Sequence, residues 1–131
     1  MKRNTKVSIK LKYPISPIVK VKMYDEQEKV LGLVKDKVQV VITLPNICDF
    51  SSELNQTMKT VSNKDECYIV TSSPKESVNK IIEQYDLAKS SISLDFKNFA
   101  KVFDLNTPQN NLKKSLMVID KNCQIVHKDI L

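Results

Sequence analysis

The chain has 131 residues, 41% of them hydrophobic and 27% charged, with a formal net charge of +6. That is enough for one domain with one core, too apolar for a disordered chain, and without any run near the ~20 apolar residues of a membrane span. The opening MKRNTKVSIKLK is basic but has no signal-peptide apolar stretch, so a cytoplasmic protein without a membrane partner is expected.

The first third reads as β structure. VSIKLKY alternates apolar and polar residues, and Pro14 and Pro17 break it. VKVKMY alternates again, DEQE supplies a polar turn, and KVLGLV returns, which predicts a hairpin with one solvated face. Lys6, Lys10, Lys12, Lys20 and Lys22 fall on the polar side of this alternation. They read as the wet face of the hairpin, so no nucleic-acid partner is expected. VQVVITL, residues 38–44, is continuously apolar and β-branched, as a central strand covered on both faces would be, and Pro45 ends it.

A helix follows, with Asp49, Ser51 or Ser52 available as its cap and Leu54, Met58 and Val61 at helical spacing. CYIVT, residues 67–71, reads as a second buried strand. Ser73-Pro74-Lys75-Glu76 has the pattern of a capping box, and Val78, Ile81, Ile82 and Tyr85 form the apolar stripe behind it. SISL, residues 91–94, can be a short strand. Asp95 can cap a helix carrying Phe96, Phe99, Ala100 and Phe103. SLMVID and QIVHKDIL then predict an antiparallel hairpin around DKNC.

Several chemistries are disfavoured by residue counts. The single glycine, Gly32, leaves no glycine-rich phosphate loop. Cys48, Cys67 and Cys123 form no CxxC pair, and His127 is the one histidine, so neither a metal site nor a cofactor is expected. Cys67, Cys123 and His127 read as structural residues. Cys48, in LPNICDFSSELNQ, stands between the central strand and a helix start. There, unpaired amides and the helix dipole would favour a thiolate.

The order hairpin, β, α, β, α, (β), α, β, β resembles a thioredoxin-like fold: α/β, with a mixed central sheet flanked by helices and an N-terminal β-hairpin. Residues 18–131 resemble the atypical thiol peroxidase branch of the peroxiredoxin family in particular. VKVKMYDEQEKVLGLVKDKVQVVITLP is similar to that branch's run into the catalytic loop, and SLMVIDKNCQIVHKDIL to its closing hairpin.

The resemblance implies a single peroxiredoxin-type domain over residues 1–131 and a site built on Pro-x3-Thr-x2-Cys. Counted from Pro45 without a gap, the threonine slot is Asp49 and the cysteine slot is Ser52, which gives an inactive register. With the loop shortened by about four residues, Cys48 takes the nucleophile slot. Pro45 would then shield the site, and Lys114 would stand as cationic neighbour where the family keeps an arginine. Ile82 lies near the place of the resolving cysteine, so an external thiol would have to reduce the protein.

The implied substrate is a peroxide. The alternative is an inactive relative that serves as a dimeric or partner-binding module. The resemblance implies a missing C-terminal helix and with it an exposed apolar face, including Ile130 or Leu131, that a homodimer would cover. Cys48-Asp49-Phe50-Ser51 is also similar to the CxxS of monothiol glutaredoxins.

Overall fold

A computed structural model describes residues 13–33 and 36–131. The predicted strand VSIKLKY, apart from Tyr13, and Lys6, Lys10 and Lys12 lie outside the described residues, as does Val34 at the end of the first hairpin.

The hairpin forms as its alternation requires. β1 (Val19–Lys22) and β2 (Glu28–Leu31) pair antiparallel, with Val19 and Val21 buried and Lys20 and Lys22 in solvent. Gly32 follows β2 at φ +90°, where a Cβ would collide with the Pro17 carbonyl oxygen. Only glycine fits both the backbone angle and that approach.

Five strands make the main sheet: β3 (Gln39–Leu44), β4 (Glu66–Thr71), β5 (Ile92–Ser93), β6 (Ser115–Ile119) and β7 (Ile125–Ile130), in the order β5-β4-β3-β6-β7. β3 pairs parallel with β4 and antiparallel with β6. All six of its residues are buried, as the apolar run predicts. α1 (Ser52–Ser62) and α2 (Lys75–Tyr85) follow β3 and β4. α3 (Phe96–Val102) follows β5.

The alternation along β3 divides the interior into two cores. Val40, Ile42 and Leu44 face Met58 of α1 and Val78, Ile81 and Ile82 of α2. Val41 faces the opposite way, with Val19, Val21 and Leu31 of the hairpin and Phe99 and Phe103 of the α3 segment. The hairpin reaches the sheet's edge, where the Tyr24 amide donates to the Ile92 carbonyl at 2.7 Å. Two buried polar residues on β3 are satisfied. Gln39 Oε1 accepts from the Gly32 amide at 2.9 Å, and the Thr43 hydroxyl donates to the Lys113 carbonyl at 2.7 Å while lying 2.6 Å from the Ser115 hydroxyl.

Two expected caps are not formed. Asp95 precedes α3 but makes no side-chain cap; its carboxylate accepts from the Lys22 amide instead, fixing the hairpin. Ser73 does not cap α2, whose N-cap is Pro74. Its hydroxyl serves the loop described next.

Candidate functional site

The site grows from the carboxyl end of β3. Pro45 ends the strand, residues 47–49 make one 3-10 turn, and α1 begins at Ser52. Asn46 caps the short turn: its Oδ1 accepts from the Cys48 amide at 3.0 Å and its carbonyl from the Asp49 amide at 3.0 Å. Ser51 caps α1 by accepting from the Leu54 amide at 3.2 Å, which settles the choice among the three expected caps.

A second strand end clamps this loop. The Ser73 hydroxyl accepts from the Ile47 amide at 2.8 Å and donates to the Pro45 carbonyl at 3.1 Å; Ser72 donates to the same carbonyl at 3.1 Å. Buried Ile47 and Phe50 anchor the loop from beneath, and the Phe50 ring meets Tyr85 of α2 edge-on at 4.9 Å. Cys48 and Asp49 lie between those anchors and are exposed. The loop is therefore fixed at its backbone and open at its tip.

The pairing of β3 with β6 fixes where Lys114 stands. It lies one residue before β6, next to the strand end that carries Pro45. Its Nζ lies 3.9 Å from Asp49 Oδ2, with 39% and 49% of the two side chains exposed. The structure thus brings Pro45, Cys48, Asp49 and Lys114 to one end of the sheet. Ser52, the alternative nucleophile slot, is the exposed first residue of α1. Ile82 is buried in α2, away from solvent.

One expectation about Cys48 changes. It does not stand at the mouth of α1 but three residues before the Ser51 cap. The amides of its own turn are engaged: Ile47 with Ser73, Cys48 with Asn46, Asp49 with Asn46 and Phe50 with Ile47. The free amides of a helix start fall within its first turn, here from Ser52 onward. The charged groups brought to the Cys48 turn are the Asp49 and Lys114 side chains.

The other two cysteines differ. Cys67 is buried in β4, and burial pushes its thiol from 9.0 up to about 11. Cys123 is half-buried at φ +63° in the β6–β7 turn, which Asp120 organises by accepting from the Asn122 and Gln124 amides at 2.9 Å. His127 is exposed on β7. Among the described residues no cluster of three His, Cys, Asp or Glu side chains could hold a metal ion, and no helix is long and apolar enough to cross a membrane.

Asn46, Ser72 and Ser73 were not singled out as site residues by the sequence. Asn46 carries a usable signal, because asparagine before a short turn accepts a backbone hydrogen bond from two residues on. The roles of Ser72 and Ser73 depend on β3 and β4 lying side by side, which local pattern does not encode.

Solved structures of similar shape agree on the architecture. A peroxiredoxin-like protein from Aquifex aeolicus superposes with a TM-score of 0.73 at 21% identity, over 95% of this chain and 79% of that one. A thiol peroxidase from Chromobacterium violaceum gives 0.68 at 12% identity, over 95% and 78%. A thiol-disulfide oxidoreductase from Bacteroides fragilis gives 0.67 at 13% identity, over 90% and 91%. The fold is thioredoxin-like. No family model and no curated protein sequence matches the chain. At these identities the superpositions speak for the scaffold.

Proposed function

We propose that the protein is a one-cysteine, thiol-dependent peroxidase with Cys48 as its nucleophile. The observation that carries this reading is the placement of Cys48: of the three cysteines it alone is exposed, and it stands on a clamped loop at the end of the central strand, beside a lysine–carboxylate pair. The Cys48 thiolate attacks one oxygen of a peroxide ROOH. The S–O bond forms as the O–O bond breaks, RO⁻ leaves and takes a proton, and sulfur becomes sulfenic acid. An external thiol then displaces water to give a mixed disulfide. A second external thiol displaces Cys48 and leaves as the disulfide, so two thiols reduce one peroxide. Lys114 supplies the positive charge near the sulfur. Pro45, held by Ser72 and Ser73, forms the fixed wall of the loop.

A second reading has its own support. Ser52 occupies the first helical position of α1, where the ungapped motif would place the nucleophile, and a hydroxyl does no redox chemistry there. In that reading the chain is a scaffold, and exposed Ile130 and Leu131 belong to a surface covered by a second copy.

Peroxide consumption with dithiothreitol, measured for the parent and for Cys48→Ser, separates the two. The peroxidase reading expects loss of turnover in the variant. Equally slow consumption by both proteins leaves the scaffold reading. Sedimentation of a monomer at high protein concentration would remove its dimer.

A further inference from the structure

We propose that the Asp49–Lys114 pair is a built-in restraint on Cys48, with Asp49 engaging the cation that the thiolate would draw on. The proposal rests on the reading of Cys48 as the working thiol and adds how that thiol is regulated. Asp49 follows Cys48 in the same 3-10 turn, whose amides fix its backbone. Lys114 is fixed from the other side: its carbonyl accepts from the Leu131 amide at 2.9 Å, and the neighbouring Lys113 carbonyl accepts from Thr43 at 2.7 Å. Two anchored backbones therefore bring an ammonium and a carboxylate together at the residue next to the nucleophile.

The pair has two effects of the same sign. The carboxylate places a negative charge beside a sulfur that must itself become negative to react. It also engages the ammonium that would otherwise compensate the thiolate. Yet the contact is long, at 3.9 Å, and both side chains are more than a third exposed. Exposed pairs of this kind are weak and are screened by salt. An incoming anionic group, a carboxylate or phosphate on the peroxide or on the reducing thiol, can therefore take Lys114 from Asp49. The site would be slow at rest and faster once an anion has docked.

The test is the alkylation rate of Cys48 by neutral iodoacetamide, read by mass on the Cys48 peptide. It is measured in the parent, Asp49→Asn, Lys114→Gln and the double variant, at low salt and in molar salt, with thermal melts to confirm that each is folded. Asp49→Asn is expected to react about two- to fivefold faster than the parent at low salt. That gain is expected to be smaller in the Lys114→Gln background and in molar salt. A parental rate in Asp49→Asn, or a gain undiminished without Lys114 or in molar salt, overturns the proposal. Alkylation needs no peroxide, so the restraint can hold in a protein that consumes none, and the peroxidase reading can stand if the restraint fails.

Discussion

Cys67 and Cys48 lie toward opposite ends of the central strands and have opposite surroundings. Cys67 is in β4, parallel to β3, with aliphatic side chains from α1 and α2 over it, and burial alone pushes its thiol up to about 11. Cys48 is past the end of β3, on a loop whose apolar residues point inward and whose polar ones point out. The sheet's interior makes a cysteine inert, and the strand's end makes it available. Which residue type is present matters less than where the ladder stops.

The widest separation between the two is kinetic. In the folded protein Cys48 is expected to be alkylated far faster than Cys67, because Cys48 is exposed while Cys67 is buried and burial pushes its thiol up to about 11. Peptide mapping after a short iodoacetamide pulse measures it, and equal labelling would break the comparison.

The next effect is on stability at alkaline pH. The Cys67 thiol is raised from 9.0 to about 11 in the folded state, so between those values the unfolded chain gives up its proton and the folded one keeps it. Stability is then full below about pH 9 and falls as pH rises toward 11, by about 2 to 3 kcal/mol from this group. Tyr68 is also raised, chiefly by burial and further by its hydrogen bond to Glu66, and extends the loss to higher pH. Denaturant melts from pH 8 to 11 are expected to show a shallower decline in Cys67→Ala than in the parent.

Smaller effects sharpen the account of the Cys48 loop. Ser73→Ala removes the partner of the Ile47 amide and one of two donors to Pro45. A loss of about 1 to 2 kcal/mol is expected, restored by Ser73→Thr, together with altered alkylation of Cys48. Ser51→Ala loses only the α1 cap, about 1 kcal/mol, measured in the same melts.

The fold was legible because its signals are local and agree with one another. VQVVITL could be covered on both faces only in the middle of a sheet, and the Val19–Val21 and Lys20–Lys22 alternation sorted itself into core and solvent. The stripe of Val78, Ile81 and Ile82 did the same for α2. The site was less legible. Ser73 matches a capping box, but in the folded chain its hydroxyl meets the Pro45–Ile47 segment, which local pattern cannot anticipate. Asp95 likewise gives its carboxylate to Lys22 rather than to its own helix. The position of Cys48 before the α1 cap depended on where that cap falls among Asp49, Ser51 and Ser52, three residues with similar propensity for the role. Ser73 and Asp95, polar side chains with several possible local partners, took distant ones.

Cys48 as the reacting atom is tested most directly by trapping its oxidised form. The protein is treated with a small excess of hydrogen peroxide in the presence of a 1,3-diketone that captures sulfenic acids, and the adduct is located by peptide mass. The account expects the adduct on Cys48, with Cys67 unmodified. An unmodified Cys48, or an adduct confined to Cys67 or Cys123, would contradict it.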